Sequence, residues 1–121
     1  MPRTVLMDTN GLMMPFQFRI NLQAELRRVV GDVELTVPRP VLEELRLLSE
    51  RDKGAKAALR LAESFRIVEG HGSADDALLE LASATRAPVV TNDMALLERL
   101  RAAGLPRISL RSRNHLVAEG L

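Results

Sequence analysis

Thr4-Val5-Leu6-Met7-Asp8-Thr9-Asn10-Gly11 opens as a short apolar run and closes in turn-forming residues, the pattern of a buried strand that delivers Asp8 to its carboxyl end. The same punctuation recurs outward along the chain. Val33–Val37, closed by Pro38 and Pro40, reads as a second strand, Phe65–Val68 as a third, Pro88–Thr91 as a fourth and Arg107–Leu110 as the last. Between them the apolar period lengthens. Asn21–Val30 puts Leu22, Leu26, Val29 and Val30 on one helical face, with Asn21 as its cap and Gly31 past its end. A helix entered through Pro40 carries Val41, Leu45 and Leu48 on one face, and another runs from about Lys53 to Ser64. Ser73 caps a helix from Ala74 to Thr85, and Asp93–Ala103 carries Leu96, Leu97 and Leu100. Leu12–Ile20, with Pro15, Phe16 and Phe18, reads as an apolar turn region. Strands alternating with helices predict an α/β/α sandwich around a central, mainly parallel sheet, because each crossover helix covers a sheet face.

Composition narrows the class further. A chain of 121 residues has room for one core, so 1–121 is expected to be a single domain. The absence of cysteine excludes disulfides, thiolate metal sites and cysteine nucleophiles. His71 and His115 stand too far apart in sequence for a histidine-rich zinc site. No run reaches the roughly 18 apolar residues of a membrane span, and Met1-Pro2-Arg3 leads directly into a strand, so a cytoplasmic protein without a membrane partner is expected. A net charge of +1 excludes a general polycation, although Arg101, Arg107, Arg111 and Arg113 face only Glu119 in the last stretch. Tryptophan and tyrosine are absent, which leaves phosphate contacts and shape as the means of holding a nucleic acid.

Chemistry in open α/β sheets gathers beyond the carboxyl ends of the strands. Asp8 and Asp93 fall at two such ends, and Asp75-Asp76 open a helix. At about 100° per residue, Asp75 shares an edge with Leu78, Leu79 and Ala82 while Asp76 points to solvent. Glu44 lies at the margin of its helix's apolar face, and Glu43 points more nearly away. Each acid alone also fits a blander role: Asp75, Asp76 and Asp93 as helix-start acids, Glu44 as surface. Together, Asp8, Glu44, Asp75 and Asp93 form a hard-oxygen donor set suited to Mg²⁺ or Mn²⁺, since carboxylates so placed repel unless a cation sits among them. One ion, or two about 4 Å apart, would bridge a phosphodiester, activate water and steady charge on the leaving oxygen. Phosphoryl hydrolysis follows from that constellation.

With these pieces in place the chain resembles the PIN domains, a family of metal-dependent nucleases. The resemblance is carried by LMDTNGL (Leu6–Leu12), VPRPVLEEL (Val37–Leu45), ADDALLELA (Ala74–Ala82) and VVTND (Val89–Asp93), in that order. It implies a PIN-like fold and an endoribonuclease whose catalytic and metal-binding residues are Asp8, Glu44, Asp75 and Asp93, with Mg²⁺ or Mn²⁺ as cofactor. It also implies Asp76 as accessory, and Asn10 and Thr91 as polar residues that brace the acids or hold water. Single-stranded or structured RNA and a homodimer are the implied partners. The wording is closer to archaeal-type PIN proteins related to ribosomal RNA processing factors, with a ribosome-assembly partner, than to the toxin of a toxin–antitoxin pair, which would have an antitoxin partner. Met94 and Ala95 follow Asp93 where many toxin-type members carry a further acid.

Arg39, Arg111 and Arg113 are candidate RNA-binding residues around the acidic cleft. Two rival functions remain: a catalytically degenerate RNA-binding assembly factor, and a receiver-like phosphoacceptor domain. The second is the weaker, because Lys53 and Lys56 are the only lysines and neither lies near the last strand. Met13, Met14, Phe16 and Phe18 are expected in the core, or on a dimer surface where exposed.

Overall fold

The computed structural model describes residues 2–121. The chain alternates strands and helices in the order β1 (Arg3–Met7), α1 (Thr9–Phe18), α2 (Leu22–Val30), β2 (Val33–Pro38), α3 (Arg39–Leu48), α4 (Lys53–Glu63), β3 (Arg66–Val68), α5 (Ala74–Thr85), β4 (Val89–Val90), α6 (Met94–Ala102), β5 (Arg107–Arg111) and β6 (His115–Glu119). The sheet runs β3-β2-β1-β4-β5-β6, with every pairing parallel except the last. Right-handed crossovers then put α1–α4 on one face, and the reversal from β3 to β4 puts α5 and α6 on the other. This is the mostly parallel, helix-flanked sandwich that the alternation predicted.

Helix boundaries follow the expected signals. Asn21 accepts a hydrogen bond from the Ala24 N–H at 3.1 Å, and Gly31 ends α2 with φ of 85°. Asp52 and Ser73 cap α4 and α5 in the same way. The core is continuous through the sheet: Val5, Met7, Val37, Val89, Val90 and Ile108 are fully buried, and Leu12, Leu26, Leu45, Leu78 and Leu100 close on them from the helices.

Two local expectations are overturned. Leu12–Ile20 is no turn: residues 12–18 lie inside α1, which carries Pro15 in its interior. Gly11 and Pro15 both signal a break, but buried Leu12, Met13 and Met14 hold the helix to the sheet, and packing outweighs propensity. Phe16 is largely exposed while Phe18 is half-buried. Arg107–Leu110 is not the last strand either, because β6 returns antiparallel beside β5. Their turn places Ser112 and Arg113 at φ of 56° and 63°, a conformation usually supplied by Asn-Gly, so the hairpin carries no conventional mark.

Candidate active site

The site is built where the chain reverses its winding. β1 lies between β2 and β4, so the carboxyl ends of β1 and β4 flank the switch point at which an open α/β sheet forms its crevice. Asp8 leaves the end of β1 and is only 3% exposed. Its backbone N–H donates to the Val90 carbonyl at 3.1 Å, which fixes it against β4. Thr91, the next residue along, is fully buried, and its hydroxyl donates to Asp8 Oδ2 at 2.6 Å. The Thr91 hydroxyl oxygen in turn accepts the Asp93 backbone N–H at 3.0 Å. Thr91 therefore ties both aspartates to one hydroxyl.

Asp93 caps α6, its Oδ1 accepting the Leu96 N–H at 3.1 Å. The capping role and a role in the site are compatible, since the cap engages only one of the two carboxylate oxygens. Asp75, half-buried in the first turn of α5, and Glu44, exposed on α3, complete the group. Burial raises the Asp8 carboxyl to about 6, and the charges of Asp75 and Glu44 push it further in that direction against the Thr91 hydrogen bond. Asp75 is likewise raised, first by burial and then by Asp93, Glu44 and Asp76. The four acids thus share one electrostatic neighbourhood. Among the described residues, however, no three acidic or imidazole side chains stand in a formed metal-binding group.

Asp76 points outward as the helical count predicted. Its Oδ1 accepts from Arg99 at 3.0 Å, and that pairing holds its carboxyl below the usual range. Arg99 also draws the Asp75 carboxyl downward, which makes it the cation nearest in effect to the cluster. Sequence reading passed over it: the arginine sits in the last turn of α6, and only the packing of α6 beside α5 brings it to the acids. Thr9, next to Asp8, was also passed over. Its buried hydroxyl has no hydrogen-bond partner among the described residues, which marks a polar position open to a ligand or water. Asn10 lies half-buried in the first turn of α1.

The three candidate RNA-binding arginines lie at the same end of the sheet, on α3 and on the β5–β6 hairpin. Arg39 pairs with Glu69 at 2.9 Å, Arg111 approaches Glu119 at 4.0 Å, and Arg113 stacks over Phe18 at 5.6 Å from its centroid. Exposed pairs of this kind are worth little and exchange readily for phosphate. His71 lies beside Glu80, and His115 beside Asn114.

The Thr91 hydroxyl favours the ionised form of Asp8, so its removal has a determined sign. In metal-free Thr91→Val the Asp8 carboxyl should titrate above about 6, and stability should fall by about 1–3 kcal/mol for the broken buried network. Carboxyl ¹³C titration by NMR checks the first effect and urea melts the second. An unmoved Asp8 resonance would show that the hydroxyl does not govern it.

Comparison with known proteins agrees with this fold. The family model described as a PIN like domain matches residues 5–113. Ribonuclease VapC9 of Archaeoglobus fulgidus is 29% identical over 109 residues, a match spanning 86% of this chain and 80% of that protein. The solved structure of the PIN domain endonuclease Utp24 superimposes with a TM-score of 0.84 at 26% identity, over 99% of this chain and 93% of that one.

Proposed function

Because the chain belongs to the PIN like domain family, whose fold is consistent with nuclease activity, we propose that it is a metal-dependent endoribonuclease acting in RNA maturation. The observation that carries the reading is Asp8: a carboxylate buried at the sheet's switch point, raised to about 6, with three further acids directed to the same end. A carboxylate in that position is costly to keep ionised unless a cation offsets it. The donor set is all oxygen, and the orphaned Thr9 hydroxyl lies beside it, so the residues fit Mg²⁺ or Mn²⁺ better than zinc.

Asp8, Glu44, Asp75 and Asp93 would hold the metal. When bound, the ion supplies Lewis-acid polarisation of the phosphodiester and neutralises charge developing on it. Thr91 holds Asp8 ionised and in line. Arg99 tethers Asp76 away from the cluster. Arg39, Arg111 and Arg113 hold the flanking phosphates of RNA, giving binding that weakens with salt.

Cleavage of a labelled, partly structured RNA in Mn²⁺, Mg²⁺ or EDTA tests the reading. Turnover that requires both the metal and Asp8 is the expected result. RNA binding that persists in EDTA with no turnover under any condition would reassign the protein to a binding or assembly role, a reading favoured by Met94 and Ala95 standing after Asp93 in place of a further acid. Expression in a host cell separates maturation from toxicity. Unimpaired growth is expected, whereas growth arrest abolished by Asp8→Asn would place the chain among toxin-type ribonucleases.

A further inference from the structure

A concavity with apolar walls and a cationic rim lies on the same sheet, towards the end opposite the acids. A strand buried on both faces of a parallel sheet is apolar throughout, yet β2 reads Val33-Glu34-Leu35-Thr36-Val37. Val33, Leu35 and Val37 turn to the face covered by α1–α4. Glu34 and Thr36 turn to the other, where α5 crosses back over three strands and leaves part of the sheet uncovered. Registered with Thr36 across that face are Leu6 on β1 and Arg66 on β3.

The result is a pocket of about 520 Å³ between the amino-terminal part of the sheet and the carboxyl-terminal half of α5. Its rim carries Arg3, Arg66 and Arg86 from three separate elements, and none of its lining residues is a carboxylate. Leu6, Val68 and Leu81 make its walls apolar. Thr36 lines it while being only 2% exposed, and the sole hydrogen bond of its hydroxyl is a stretched 3.5 Å contact to the Glu34 carbonyl. A buried hydroxyl in that condition is open to a ligand atom.

We infer that this pocket binds a phosphate ester of nucleotide size, its phosphate on the arginines and its base and sugar against the apolar walls and Thr36. Volume and lining both suit such a ligand: the cavity lies in the range of small-molecule sites, and it joins an apolar wall to a cationic rim. Guanidinium groups grip phosphate through paired donors and also stack on bases, which compensates for the missing aromatic residues. Arg86 is already held, donating to the Gly104 carbonyl at 3.0 Å from a left-handed backbone position with φ of 58°. Arg66 shares an exposed pair with Glu34 at 3.1 Å, weak enough to give way to phosphate. The carbonyls ending α5 oppose an anion, but a half-charge there is outweighed by three full positive charges.

The site is separate from the proposed cleavage centre. Arg3 and Asp8 lie at opposite ends of β1, about 16 Å apart at the rise of a strand. The ligand is either a free mononucleotide or the phosphorylated end of an RNA, and the two are separable by experiment.

Calorimetry in EDTA tests binding without any contribution from metal or turnover. The probes are AMP, adenosine, and a short RNA with and without a 5′-phosphate. AMP should bind at least about tenfold more tightly than adenosine, and Arg3→Gln and Thr36→Val should each weaken it severalfold while Arg60→Gln, at an exposed position of α4, leaves it unchanged. Binding by AMP itself identifies a free nucleotide as sufficient; binding confined to the phosphorylated RNA identifies the strand end. Backbone amide shifts on the unsubstituted protein provide a second readout should a variant fold poorly, with Thr4, Thr36, Arg66 and Arg86 expected to move together. Saturable binding of adenosine as tight as that of AMP, shifts centred on the acidic end, or no saturation by any phosphorylated probe would overturn the inference. Because none of these measurements needs cleavage, its failure is distinguishable from failure of the nuclease reading.

Discussion

Asp8→Asn is expected to lower metal-dependent RNA cleavage by about a thousandfold, some 4 kcal/mol of transition-state stabilisation, while making the metal-free protein more stable at neutral pH. The two effects have one cause. Burial lifts the Asp8 carboxyl from its ordinary value of 3.8 to about 6 in the folded chain. The folded state therefore binds a proton more tightly than the unfolded state, so stability is fully present below about pH 3.8 and is lost as pH rises through about 6. Two pH units correspond to about 3 kcal/mol at pH 7. Asparagine keeps the shape and carries no charge, and its carbonyl can still accept the Thr91 hydroxyl. Its amide needs a new acceptor, which offsets part of the gain and leaves about 1–2 kcal/mol, a rise of several degrees in Tm. Thermal melts of both proteins in EDTA from pH 4 to pH 8 check this: the curves should lie close together near pH 4, draw apart as the pH rises to about 6 and keep that separation above it. Mn²⁺ should raise the Tm of the wild type and leave the variant unmoved. A variant less stable at every pH would show that Asp8 is structural and not strained by its charge.

How much of this was legible beforehand depends on whether local sequence or tertiary packing decides each feature. The strands ending in Asp8 and in Thr91-Asn92-Asp93 were legible because apolar runs and turn formers are short-range signals. Asp75 was separable from Asp76 by helical angle alone, and the structure places Asp75 half-buried and Asp76 in solvent against Arg99. Where two local rules opposed a long-range one, reading by residues failed. Gly11 and Pro15 argued against α1, and only the burial of Leu12 and Met14 against the sheet tips the balance to helix. The β5–β6 hairpin escaped because Ser112 and Arg113 hold a turn that sequence normally marks with glycine. Arg99 could not have been found by spacing, since its proximity to the acids exists only across the α5–α6 packing. The polar alternation in Glu34 and Thr36 was a visible signal of a half-covered sheet, and the pocket beside Arg66 is its consequence.

Gly11→Ala should destabilise the protein by about 1–3 kcal/mol, and the direction is set by a contest between two effects on one residue. Gly11 lies in the first turn of α1, where alanine is favoured by about 1 kcal/mol on propensity. Against that, a Cβ at this position would lie 2.5 Å from the Val90 carbonyl oxygen and 3.2 Å from both the Val90 carbonyl carbon and Cγ1. The obstacle is backbone of a central strand, which has no rotamer by which to withdraw. The same carbonyl accepts the Asp8 N–H at 3.1 Å, so displacing it loosens the bond that fixes Asp8 to β4. Overpacking of about 1–3 kcal/mol combines with a strained buried hydrogen bond, and together they exceed the helical gain. Urea unfolding should show a lower midpoint with an unchanged slope, and the bond from the Asp8 N–H to the Val90 carbonyl should lengthen or break, exposing the Asp8 amide to exchange. Stabilisation of Gly11→Ala, with Asp8 as protected as before, would mean that α1 tilts freely over β4. In that case the close approach of helix to strand would no longer explain why Asp8 is buried.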